Sequence, residues 1–128
     1  MEFPDSLKYT REHEWARRKG SQVVIGITAF AQEQLGDVVF VELPDVGDTV
    51  KKGESFGVVE STKAVSELFA PISGKVVEVN DPLADAPETI NEDPYEEGWM
   101  IVIEPSDPKD LDGLMDASAY KAFVEEQE

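Results

Sequence analysis

The chain has 128 residues, enough for one compact domain, and 41 % of them are hydrophobic. Its 28 acidic and 11 basic residues give a net charge of −17, which repels nucleic acid and anionic membranes and favours solubility and partners with basic docking surfaces. Cysteine is absent, so disulfides, thiolate metal sites and cysteine nucleophiles are excluded, and the single histidine, His13, excludes a two-histidine zinc motif.

The opening MEFPDSLKYT lacks the apolar core and cleavage pattern of a secretory signal. No apolar run approaches the roughly 20 residues that span a bilayer. A cytoplasmic location is expected for a bacterial chain; a eukaryotic form processed for the mitochondrial matrix reads the same way. One domain over 1–128 is expected, with a core at about 20–105, an N-terminal extension at 1–19 and a helical segment at 106–128.

Short β-rich runs separated by turn signals fill the chain to about residue 105. Gln22–Ile27 (QVVIGI) reads as a strand and Thr28–Leu35 as a helical turn. Val38–Leu43 (VVFVEL) is a second strand, and Val46–Glu54, with two glycines and a lysine pair, a turn. Ser55–Glu60 and Val65–Ala70 flank Ser61-Thr62-Lys63-Ala64. Lys75–Asn80 follows a Pro71–Gly74 turn, and Asp81–Gly98 is a loop long enough to suggest a special role. Trp99–Glu104 is the last strand. Ser106–Met115 and Ala117–Gln127 read as helical, the second N-capped by Asp116, with Tyr120, Phe123 and Val124 on its core face. The pattern predicts a mainly β sandwich or barrel. Turns before and after Lys63 are weakly symmetric about it.

Val58–Asn80 reads VVESTKAVSELFAPISGKVVEVN: two apolar-rich strands meet at a short polar connection with one lysine. Such a connection is an exposed hairpin tip, and a lysine there is flexible and open to modification. An isolated exposed lysine is usually a solvated charge; here the surrounding sequence changes that reading. Acylation would move the net charge from −17 to −18, by removal of one positive charge.

Glu60-Ser61-Thr62-Lys63-Ala64, Glu67, Ala70-Pro71 and Gly74, after the Val46–Glu54 turn, resemble the attachment hairpin of the biotinyl/lipoyl-carrier superfamily. Biotin carriers usually place methionines beside the lysine; Thr62 and Ala64 stand there instead. Lys8–Trp15 (KYTREHEW), Ile25–Thr28, Ala31-Gln32, Leu35–Pro44, Asn91, Pro94-Tyr95, Gly98–Met100 and the Tyr120 helix narrow the resemblance to glycine cleavage H proteins over nearly the whole chain.

The resemblance implies a barrel-sandwich hybrid of two small antiparallel sheets with a C-terminal helix, acting as a monomeric, non-catalytic carrier of a multienzyme system. It implies lipoate joined to Lys63 as an amide by a lipoate ligase or a lipoyl/octanoyl transferase. The implied partners are a pyridoxal-phosphate glycine decarboxylase (P-protein), which loads an aminomethyl group, a folate-dependent aminomethyltransferase (T-protein), which removes the one-carbon unit, and dihydrolipoyl dehydrogenase (L-protein), which reoxidises the dithiol. Absence of cysteine suits such an arm, since a protein thiol could exchange with its disulfide. By resemblance, Glu12, Glu14 and Glu67 hold the protonated amine in a cleft, and Glu60 and Gly74 serve lipoylation recognition; ordinary surface charge is the competing reading for the carboxylates. His13 is assigned no catalysis and reads as a ring packed beside Trp15 or a surface turn residue. Gly26, Gly53, Gly57 and Gly74 mark unusual dihedrals or close packing. A lipoyl donor to other enzymes, a glycosidase-like enzyme using acid pairs such as Glu96-Glu97 or Asp45 and Asp48, and an acidic nucleic-acid mimic are the competing functions.

Overall fold

A computed structural model describes residues 2–127, built around two antiparallel sheets. The larger joins six strands, β1 (Lys8–Tyr9), β2 (Glu14–Lys19), β3 (Gln22–Ile27), β9 (Ile101–Pro105), β8 (Gly74–Val79) and β5 (Thr49–Val50), in that spatial order. The smaller joins three, β4 (Val38–Glu42), β6 (Ser55–Ser61) and β7 (Val65–Phe69). The sheets face each other as an open sandwich and do not close into a barrel. Residues 8–19, within the stretch read from sequence as an N-terminal extension, form β1 and β2 of the large sheet.

Burial explains the apolar runs. Ala16, Val23, Ile25, Ile101 and Ile103 point into the core between the sheets, against Val41, Val59 and Leu68 of the small sheet. Their neighbours Val24 and Val102 point the other way, into a second cluster with Tyr9, Trp15, Tyr120 and Val124. The central strands β3 and β9 are therefore buried on both faces, which removes the usual polar alternation. The small sheet is covered on one face only.

The second cluster is roofed by helix α4 (Ala117–Gln127). Asp116 caps it, its Oδ1 accepting the Ala119 N–H at 2.8 Å. Tyr120 stacks on Tyr9, with ring centroids 4.6 Å apart and planes within 8°. The preceding segment, read as helical over Ser106–Met115, contains a 3₁₀ turn at Pro108–Gly113, and Met115 then pairs with Tyr9 through two backbone bonds. The Asp81–Gly98 loop holds two four-residue helices, α2 (Pro82–Asp85) and α3 (Thr89–Glu92). Between β3 and β4 lies α1 (Ala29–Leu35), capped by the Thr28 side chain.

Trp15 and Gly26 are directly opposed on β2 and β3. The indole lies across the glycine so closely that a Cβ there would sit 2.6 Å from the ring. Overpacking of this kind costs about 1–3 kcal/mol. Gly26→Ala is expected to lower the unfolding free energy from chemical denaturation by an amount in that range, whereas Gly20→Ala, in open space, should lose only the cost of its positive φ.

Candidate functional site

Lys63 sits on the β6–β7 hairpin, and the tip is held from three sides. Ser61 N–H donates to the Ala64 carbonyl at 2.8 Å, while Ser61 Oγ accepts from the N–H groups of Lys63 and Ala64 at 3.2 and 3.0 Å. Thr62 N–H donates to the Asp37 carbonyl at 3.1 Å, tying the tip to the α1–β4 link. Gly36, at φ +81°, lies under the lysine stem: a Cβ there would come within 3.2 Å of Lys63 Cε. The backbone of the tip is thus fixed, and the side chain stays exposed.

The platform beneath it depends on Asn91 of α3. Asn91 Nδ2 donates to the Gly36 carbonyl at 2.8 Å and to Gln32 Oε1 at 3.1 Å, and Oδ1 accepts the Val38 N–H at 2.9 Å. This gives the long 81–98 loop a structural task. The loop is itself anchored by Trp15 Nε1–H on the Pro94 carbonyl at 3.0 Å and by Ala29 N–H on the Tyr95 hydroxyl at 3.0 Å. Burial pushes the Tyr95 hydroxyl up to about 12.

Beyond the tip a cleft of about 290 Å³ opens between β7, the 12–14 turn and α1. Ala64 to Leu68 form one wall, Ile27, Ala31 and Leu35 supply apolar surface, and Glu12, Glu14 and Glu67 all border it. Glu12 and Glu67 are exposed; Glu14 is 2 % exposed. A second hollow of about 250 Å³, with Phe69, Pro71 and Met115, lies against Glu14 as well. Glu14 therefore lines both.

The Glu14 carboxylate is held by donors from two distant segments. Thr10 Oγ1–H donates to Oε1 at 2.7 Å, and Phe69 N–H, on the outer edge of β7, donates to Oε2 at 3.2 Å. Thr10 Oγ1 also accepts the Glu14 N–H at 3.1 Å. Burial raises the carboxyl from its ordinary 4.5 to about 7, with the Thr10 and Phe69 donors pulling it back down.

His13 lies in the turn beside it, at φ +72°, a left-handed backbone uncommon outside glycine. Its ring packs on Phe30 and Phe123 rather than on Trp15, with Nδ1 2.8 Å from the Tyr120 hydroxyl. Burial lowers its proton affinity. Glu60 is exposed on β6, paired with Val65 just past the tip. Gly74 is not beside Lys63: it is buried in the large sheet between Val50 and Pro105, and close approach of the Glu104 carbonyl accounts for its lack of a side chain. Thr10, Gly36 and Asn91 were given no site role from sequence; their parts are contacts through space. Among the described residues, no cluster of three or more His, Cys, Asp or Glu could hold a metal ion, and no helix is long and apolar enough to cross a membrane.

The profile of the "Glycine cleavage H-protein" family matches residues 7–127. The chain belongs to the glycine cleavage H-protein family. Relatives described as glycine cleavage system H protein include one from Anaeromyxobacter sp. (strain K), 87 % identical over 128 residues with 100 % of both chains covered. Another, from Myxococcus xanthus (strain DK1622), is 66 % identical over 123 residues, covering 96 % of this chain and 95 % of the relative. The crystal structure of a glycine cleavage system H protein from Mycobacterium marinum superposes with a TM-score of 0.87 at 45 % identity, covering 96 % and 99 % of the two chains. The open two-sheet sandwich with its C-terminal helix is thus an H-protein family fold.

The pinned carboxylate makes a measurable claim. Thr10→Val removes one donor without changing side-chain size, so Glu14 should titrate above about 7 by carboxyl NMR, while Thr10→Ser should restore it. Because the folded value lies above the unfolded one, the Glu14 contribution to stability is fully present below about pH 4.5 and lost as pH rises through about 7.

Proposed function

We propose that the chain is the lipoyl carrier of a glycine cleavage system, with lipoate attached as an amide at Lys63. The observation that carries the reading is one exposed lysine on a braced hairpin, followed by a cleft that runs along β7 to a buried carboxylate. A strand rises about 3.3 Å per residue, so Val65–Phe69 extends about 13 Å, the length scale of an extended acylated lysine. The Ala64–Leu68 wall and the apolar surface of Ile27 and Leu35 suit a hydrocarbon arm, and the acidic end suits an amine. The residues present fit the group.

Lipoate on Lys63 would supply a dithiolane that, once its S–S bond is opened, offers one sulfur to the aminomethyl unit and leaves the other as a thiol. The chain does the rest. Lys63 Nζ is the acyl acceptor, and the Ser61 and Asp37 contacts hold the tip while the stem swings. Ile27, Ala31, Leu35 and Leu68 exclude water from the cleft. Glu14, as the carboxylate, accepts hydrogen bonds from a protonated amine, and Glu12 and Glu67 lend negative charge at the mouth. A bound ammonium favours the ionised form of Glu14, offsetting the burial that raises it. The carrier meets glycine decarboxylase, aminomethyltransferase and dihydrolipoyl dehydrogenase in turn, after acylation by a lipoate ligase or a lipoyl/octanoyl transferase. The cytoplasmic location expected of a bacterial chain suits this cycle.

Incubation with lipoate ligase, ATP and lipoate should add one lipoyl group, mapped by peptide mass to Lys63. Lys63→Arg should fold normally and take up none; a fully lipoylated Lys63→Arg variant sinks the assignment. For the loaded protein, Glu14→Gln should release the aminomethyl group faster than wild type. With the arm loaded, the ammonium holds Glu14 ionised below the value of about 7 that it has without the arm, so the ratio of the two rates should fall only in more acidic buffer. A Glu14→Gln release rate equal to wild type at pH 7 to 8 removes Glu14 from the mechanism.

A further inference from the structure

Among the described residues, none covers the outer face of the small sheet. The register aligns Phe40, Glu60 and Val65 in one cross-strand row, and Glu42, Val58 and Glu67 in the next. Acidic and apolar side chains therefore alternate in a checkerboard. Phe40 is 49 % exposed and Val65 66 % exposed, and Val39, at the β4 bulge, is 51 % exposed. Among the described residues, the remaining exposed large apolar one, Val46, stands in the 46–54 turn. Three of the four thus gather next to the Lys63 tip, where scattered singles are the norm for a surface.

Charge on this sheet is one-sided. β4, β6 and β7 contain Glu42, Glu60 and Glu67 and no lysine or arginine, so Lys63 at the tip is the nearest cation in sequence to the face. The complementary surface carries apolar groups between Lys or Arg side chains.

We propose that this checkerboard is the docking face for the enzyme that acylates Lys63. The inference rests on Lys63 being the acyl acceptor. That enzyme meets the chain before any arm exists, so selection among eight lysines must come from the protein surface itself. Lys63 is the lysine beside the exposed apolar block. An enzyme with an apolar patch rimmed by cations sits on Phe40 and Val65, pairs with Glu42 and Glu60, and receives the Lys63 side chain from the edge of the sheet. The apolar groups supply most of the affinity, and the carboxylates set orientation and approach rate.

The test measures initial lipoylation rates by intact mass, with the full chain, lipoate ligase, ATP and lipoate. Phe40→Ser/Val65→Ser is expected to lower kcat/KM about ten-fold or more, through KM with kcat little changed. Val46→Ser, as exposed but away from the face, should match wild type. Glu42→Lys reverses one charge without touching an apolar residue, so it tests the face even if the double variant fails to fold. It should raise KM several-fold and weaken the dependence of KM on salt. A folded double variant lipoylated at the wild-type rate overturns the proposal and leaves the carrier reading standing. So does a loss confined to glycine–bicarbonate exchange with the decarboxylase, since Val65 also lines the cleft. A wild-type chain that takes no lipoate removes the carrier reading and the docking proposal with it.

Discussion

A buried carboxylate joins the two halves of this molecule. Glu14 starts β2 of the large sheet, yet its Oε2 accepts the N–H of Phe69 at the end of β7, the edge of the small sheet. Leaving such a group without donors in an apolar setting costs several kcal/mol, which the Thr10 hydroxyl and Phe69 amide offset. The same bonds fix how far β7 stands from the 10–14 turn. An exposed strand edge is ordinarily a liability for aggregation. Here its inner end is capped by a side chain from the opposite sheet, and the gap left between the two is the cleft. Because the sandwich stays open, the seam between its sheets is left as an accessible cleft.

The large sheet was legible where burial on both faces wrote itself into the sequence. QVVIGI and the MIVI run are unbroken apolar strings, and both are central strands. VVFVEL carries an equally strong signal, but within β4 only Val38 and Val41 are buried, and Phe40 faces outward. Periodicity cannot separate those cases, since it reports where side chains point and not what covers them. β2 was missed for the opposite reason: EWARRK buries only its first three residues and ends in three basic ones. The helices of the 81–98 loop are four residues each, about one turn, too short for a 3.6-residue period to register.

The candidate site divides along a similar line. Lys63, Glu12, Glu14 and Glu67 were named from family resemblance, and the structure sets the three carboxylates around one cleft. What sequence does not carry is the support. Asn91 reaches partners 53 to 59 residues away in the chain, a separation at which no local pattern points to them. Thr10 bonds the residue four positions on, but across a turn containing a left-handed His13, so helical spacing rules do not find it either. Gly74 was read both as a close-packing glycine and, by resemblance, as a recognition residue; the tight approach of the Glu104 carbonyl within the large sheet accounts for the first.

Rigidity and freedom meet at a single residue. Ser61, Asp37 and Asn91 hold the backbone on either side of Lys63, so the side chain pivots from a fixed point. Gly36 leaves room for the stem to lie toward α1, on the same side as Leu35, which lines the cleft. On the other side, the outer face of the small sheet runs up to the same tip through the paired Glu60 and Val65. Val65 belongs to both, since it lines the cleft and stands exposed on the face. A group attached at Lys63 therefore has an internal refuge lined by this chain, next to a surface open to other proteins. Loss of the lysine charge on acylation changes the total only from −17 to −18, but it falls at the tip where the two meet.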